Sequence, residues 1–151
     1  MKKRTKIILG ILGTGVITAG IIIYVATRKP ATSQDSEPVA IFESTQLIQQ
    51  LDTDSSVSKK IMEKNIAVNG LVKEVNAADH SIILDAGESS YIICSFDSTA
   101  FENCKTSFNE GQKASVKGIF YNYSKTEDDG MGLMPSEKNA NLKTCYIHSN
   151  Q

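Results

Sequence analysis

The feature that most constrains this chain is an uncharged stretch of 21 residues, 7–27 (IILGILGTGVITAGIIIYVAT), with basic residues on both sides. As a helix rising ~1.5 Å per residue it is about 31 Å long, the thickness of one bilayer hydrocarbon core. A soluble helix that is apolar all round must be buried all round, and the rest of a 151-residue chain cannot build a core around it. A cleavable signal peptide has a shorter apolar centre, roughly 7–15 residues, ending in a small-x-small site. This run instead ends Tyr24-Val25-Ala26-Thr27-Arg28-Lys29, and no cysteine lies near it to take a lipid. The expectation is an uncleaved, single-pass transmembrane helix.

The flanking charges orient that helix. Lys2, Lys3, Arg4 and Lys6 precede it and Arg28 and Lys29 follow it. The heavier positive side, a basic tail at 1–6, is therefore expected in the cytoplasm, with the C-terminal portion outside it across the inner (plasma) membrane. A formal net charge of −1 conceals this division. Residues 1–29 hold six Lys+Arg and no acid, whereas residues 30–151 hold 10 Lys+Arg against 17 Asp+Glu, a net of −7.

Residues 30–39 (PATSQDSEPV) have the Pro, Ser, Thr and acid content of a solvated tether, so 28–41 is expected to be a flexible linker. Across 42–64, Leu47, Ile48, Leu51, Val57, Ile61 and Met62 recur at helical spacing, giving an amphipathic leading helix. The stretch Asp52-Thr53-Asp54-Ser55-Ser56 is rich in capping residues and can split it in two. Its acids would be repelled by an anionic leaflet, so it is expected to pack on the following domain.

From Ile66 the period changes to two. Ile66, Val68, Gly70 and Val72 form one face of a first strand, and 81–85 and 91–96 read as the second and third. Thr99-x-x-Glu102 has capping-box spacing, and Phe101, Cys104 and Phe108 share a helical face, which predicts a short helix. A fourth strand at 113–123 and a fifth at 142–147 follow, separated by a long polar loop at 124–141. Gly70 and Gly118 fall at mid-strand, where a bulge or sharp bend is expected. Three strands, a short helix and two strands in residues 65–148 describe a mainly β protein built on a five-stranded OB-fold barrel, with the helix between strands three and four.

The segments Ile66-Ala67-Val68-Asn69-Gly70-Leu71-Val72, Cys94-Ser95-Phe96, Glu110-Gly111-Gln112-Lys113-Ala114-Ser115-Val116-Lys117-Gly118 and Leu142-Lys143-Thr144-Cys145-Tyr146-Ile147 resemble the tRNA-anti-like OB-fold family. The resemblance covers roughly residues 44–148. It implies an OB barrel tethered to a bacterial cell envelope by a span or lipid anchor, and it carries no assigned activity.

The site chemistry is sparse. Cys94, Cys104 and Cys145 are the only cysteines. Strands three and five are neighbours in an OB barrel, so Cys94 and Cys145 are a candidate disulfide if their side chains share a face. The resemblance adds cysteines at similar positions in relatives. Cys104 reads as a small core residue. His80 and His148 are the only histidines, no metal-ligand spacing occurs, and the acidic run Glu127-Asp128-Asp129 reads as a solvated loop. The expectation is no catalytic residue, metal or cofactor, and so not an enzyme.

Nucleic-acid binding is the first use an OB-fold suggests, but it requires a basic groove with stacking aromatics. Residues 65–148 hold seven Lys, no Arg and 11 acids, a net of −4, which disfavours phosphate backbones. Tyr91, Tyr121 and Tyr123 are left as a candidate contact surface. The leading expectation is an interaction module for an envelope protein, a peptide or a small ligand. The alternative is a single-stranded nucleic-acid binder.

Overall fold

The computed structural model describes residues 35–127 and 136–148, which all belong to one compact unit, Ser33–Gln151. The expected basic tail, transmembrane helix and first half of the linker, 28–34, lie outside the described residues. Among those described, no helix is long and apolar enough to cross a membrane.

The period-two pattern produces the expected strands. They are β2 (Asn65–Asn76), β3 (Ser81–Asp85), β4 (Ser90–Ser95), β5 (Lys113–Thr126) and β6 (Glu137–Ile147). The order β2-β3-β4-β6-β5 closes through a further pairing of β2 with β5. Only the β4–β6 contact is parallel among these. β2 is shared between two partners: Asn65 to Leu71 pair with β5, and Leu71 to Asn76 pair with β3. This closed five-stranded, mainly β barrel has the strand order of an OB-fold.

A sixth, three-residue strand was not expected. β1 (Ile41–Glu43) runs parallel to β2, pairing Ile41 with Ala67 and Glu43 with Asn69, and Val39 N–H donates to Asn65 C=O. The expected linker thus gives way to sheet at its C-terminal end, because its backbone pairs with the open edge of β2 and Phe42 packs against the core, while Val39 and Ile41 stay exposed.

The leading helix is divided. α1 (Ser44–Thr53) and α2 (Ser55–Ile61) meet at Asp54, whose carboxylate accepts from Ser56 N–H as the cap of α2. α1 lies across one barrel end and inserts Leu47, Ile48 and Leu51 into the core. α3 (Ser98–Cys104) closes the other end, where Phe101 packs edge-on against Phe96 and His80. The capping box predicted from Thr99 does not form. Asp97 occupies the N-cap without a side-chain hydrogen bond, Thr99 lies inside the helix, and Glu102 pairs with Lys105 instead.

The two mid-strand glycines have different reasons. A Cβ on Gly70 would lie 2.8 Å from Ser44 Oγ, so this glycine lets the start of α1 sit on the barrel, and the bulge in β2 falls further on, between Val72 and Glu74. Gly118 does lie at a bulge. There Lys117 pairs with Tyr146 and Ile119 with Lys143, so β6 carries one extra residue, and Thr144 takes up a left-handed φ of 52°. The fifth strand also begins earlier than predicted, at Glu137, and β5 runs to Thr126, so the two ends of the expected polar loop, 124–126 and 137–141, are paired strand.

Candidate ligand-binding face

Along β4, side chains alternate in and out: Ile92 and Cys94 are buried, while Tyr91, Ile93 and Ser95 face outward. β3 puts Ile83 outward, and the bulge in β2 brings Glu74 opposite it. Lys73, Glu74, Ile83, Tyr91 and Glu137 together line a shallow hollow of about 320 Å³ on the outer barrel wall. Lys73 Nζ lies 4.5 Å from the centroid of the Tyr91 ring. Burial, then the hydrogen-bonded Glu137 carboxylate, raises the Tyr91 phenol above its ordinary value. Tyr91 is thereby held between a cation on one strand and a carboxylate on another.

A polar row continues from it. Strand register sets Tyr91 beside Asn139 and then Ser124, and Ile93 beside Asn141 and then Asn122. The Ser124 hydroxyl donates to Asn139 Oδ1 at 2.7 Å, and Asn141 Nδ2 donates to the same oxygen at 3.1 Å. The face therefore offers one aromatic ring and two aliphatic side chains beside neutral hydroxyl and amide groups, with charges of both signs at its edge.

The three tyrosines expected to form a contact surface do not lie together. Tyr121 is 44 % exposed on β5, with Lys143 Nζ 5.6 Å from its ring centroid. Tyr123 turns toward the barrel end, packs against the core and donates to Asp52 Oδ1 at 3.3 Å. Asp52, near the end of α1, also pairs with Lys138 at 2.5 Å and Lys125 at 3.1 Å. Hydrogen bonds from these two lysines pull its carboxyl down to about 2, while burial and the same Asp52 push Tyr123 up to about 12. This cluster fastens α1 to the hairpin.

No motif in the sequence marks Lys73, Glu74, Ile83, Glu137 or the asparagine row. One signal was present: Ile82-Ile83-Leu84 and Ile92-Ile93 are apolar on both faces of their strands, where a strand solvated on one face should alternate. Cys94 and Cys145 come together in the core as free, fully buried thiols, while Cys104 is a separate buried thiol on α3. A larger hollow of about 600 Å³ lies beside α3, lined by Asp97, Ala100, Cys104, Lys117 and Tyr146 among others. Among the described residues no three His, Cys, Asp or Glu side chains are grouped to hold a metal ion.

No protein-family model matches the chain, and no curated protein does either. Among solved structures, similarity is found to an aspartyl-tRNA synthetase of Leishmania major Friedlin, at 11 % identity and a TM-score of 0.39 over 91 % of this chain and 26 % of that one. An aspartyl-tRNA synthetase of Entamoeba histolytica gives 11 % identity and a TM-score of 0.35 over 66 % of this chain and 21 % of its own. This chain thus spans about a quarter or less of the length of either. The OB-like assignment rests on the strand order and barrel closure described above.

Proposed function

We propose that this protein is a non-enzymatic binding module, tethered to a bacterial membrane by residues 7–27, that holds a protein or peptide segment on the outer face of β2, β3 and β4. The observation that carries this reading is the placement of Tyr91 between Lys73 and Glu137, beside outward Ile83 and the Asn139–Asn141 row. An amphipathic ring, apolar contacts and neutral hydrogen-bonding groups suit a polypeptide surface, where tyrosine is enriched. The uncharged run and its basic flanks support the tether.

The second reading, a single-stranded nucleic acid, is favoured by one specific observation. Tyr91 and Lys73 form an aromatic–cation pair on the wall that OB-folds use for oligonucleotides. Against it stand the −4 charge of residues 65–148 and the two carboxylates, Glu74 and Glu137, in the hollow itself.

The two readings separate in one pair of experiments on the full-length chain in detergent. A photoreactive phenylalanine analogue at position 91, irradiated in native membranes before purification, is expected to give a discrete protein adduct. Labelled single-stranded RNA and DNA are expected to show no anisotropy change at ~50 mM salt. Tight binding of oligonucleotide that weakens steeply with salt, together with no protein adduct, would overturn the first reading in favour of the second.

A further inference from the structure

The bulge opposite Gly118 performs a task the barrel itself does not require. Leu142 points into the core, so in a regular strand Cys145, three residues on, would point out. The extra residue in β6, with β-branched Thr144 at a φ of 52°, reverses that parity and turns Cys145 inward, where it is fully buried. Gly118 supplies the room: a Cβ there would lie 2.6 Å from Cys145 Sγ. What Cys145 meets is Cys94, also fully buried, on the strand that pairs with β6 up to Leu142. The two thiols are neighbours in the core.

We propose that Cys94 and Cys145 are a redox pair that closes to a disulfide between β4 and β6 when the domain meets a small-molecule disulfide oxidant, with Cys104 remaining a thiol. The chemistry balances as thiol–disulfide exchange. One cysteine thiolate attacks a sulfur of oxidised glutathione, forming a mixed disulfide and releasing one glutathione thiolate. The second cysteine thiolate attacks the protein sulfur of that mixed disulfide, forming the Cys94–Cys145 bond and releasing the second glutathione thiolate. Both cysteine protons end on the two glutathiones, and the two electrons lost by the pair reduce the oxidant. Burial and the neighbouring thiol disfavour the Cys145 thiolate in the closed barrel, so exchange proceeds through opening of the β4–β6 edge. Cys104 lies on α3, whereas the thiol beside Cys145 is that of Cys94, so the pair is assigned to the two strands.

The test is thiol counting on the full-length chain. The protein is equilibrated with oxidised glutathione both folded and during refolding from urea, then denatured in excess alkylating reagent and weighed. The expected product is lighter by about 2 Da before alkylation, carries one alkyl group, and yields a Cys94–Cys145 peptide with alkylated Cys104 after proteolysis. Cys104→Ser is expected to leave that product intact and Cys145→Ala to abolish it. The oxidised chain is expected to unfold at higher urea than the reduced chain. Three alkylated thiols in both arms, a stable glutathione adduct, or a cross-link that includes Cys104 would overturn the proposal. None of these readouts depends on the binding face.

Discussion

Gly118→Ala tests the tightest approach to any glycine among the described residues. The added Cβ would lie 2.6 Å from Cys145 Sγ, 3.1 Å from Lys143 C=O and 3.4 Å from Cys145 Cα. The first distance is about 1 Å inside the ~3.5–4.0 Å optimum for non-bonded heavy atoms. The worst neighbour is the fully buried Cys145 side chain, which has little room to rotate, and the 3.1 Å contact with Lys143 C=O is to backbone, so β5 and β6 must give by a few tenths of an ångström at the bulge. Overpacking of this kind costs about 1–3 kcal/mol. With a urea slope of about 1.5 kcal/mol/M, 2 kcal/mol moves the midpoint down by about 1.3 M. The assay is urea unfolding followed by far-ultraviolet circular dichroism, since the chain has no tryptophan. Cys145→Ala removes the worst contact and leaves a small cavity, so the double variant Gly118→Ala/Cys145→Ala is expected to be more stable than the sum of the single losses by about 1 kcal/mol. A midpoint for Gly118→Ala within about 0.3 M of wild type, or strict additivity in the cycle, would refute this account of the bulge.

Three further outcomes are expected. Leu47→Ala empties a fully buried position in α1 and should cost about 2–5 kcal/mol by urea unfolding, a large share of the ~5–15 kcal/mol typical of a whole domain; a loss below about 1 kcal/mol would mean that α1 is a dispensable leader. Asp52 is held near 2 in the fold by Lys138 and Lys125 against an ordinary 3.8, so its contribution is complete above pH 3.8 and is lost as pH falls toward 2; Asp52→Asn should flatten that acid limb of the stability curve, and an unchanged limb would dismiss the clamp. Tyr123, raised to about 12 from an ordinary 10.0, contributes stability that is complete below pH 10 and lost as pH rises to 12; in Asp52→Asn a spectrophotometric titration should find it lower but still above 10, because burial remains its larger cause.

Most of the barrel was legible because its chemistry is local. Alternation at Ile66, Val68 and Val72, and the shared face of Phe101 and Cys104 on α3, each report a period within one element. Phe108, expected on the same helical face, is instead extended chain beyond the helix end and reaches the core from there. What stayed hidden depended on partners distant in sequence. β1 is a strand only because the edge of β2 lies beside it. Gly70 reads as a bend from its own strand, yet its neighbour is Ser44 on α1. The inward turn of Cys145 depends on one inserted residue, and a one-residue shift reverses every side chain beyond it. The binding face was only partly visible. Aromatic composition points to Tyr91, Tyr121 and Tyr123 alike and carries no information on which of them share a face. Strand order instead sets Tyr91 beside Asn139 and sends Tyr123 to the Asp52 cluster.

The most direct test of the proposed face is a photocrosslinking profile. The same photoreactive residue is placed singly at 91, 93, 121 and 59 of the full-length chain, irradiated in native membranes, and adduct yields are compared at equal expression. Positions 91 and 93 lie on the outer face of β4, Tyr121 is exposed on β5, and Lys59 is exposed on α2. The account predicts one common adduct at 91 and 93 that is weak or absent at 121 and 59. An adduct strongest at 121, or equal at all four positions, would contradict it.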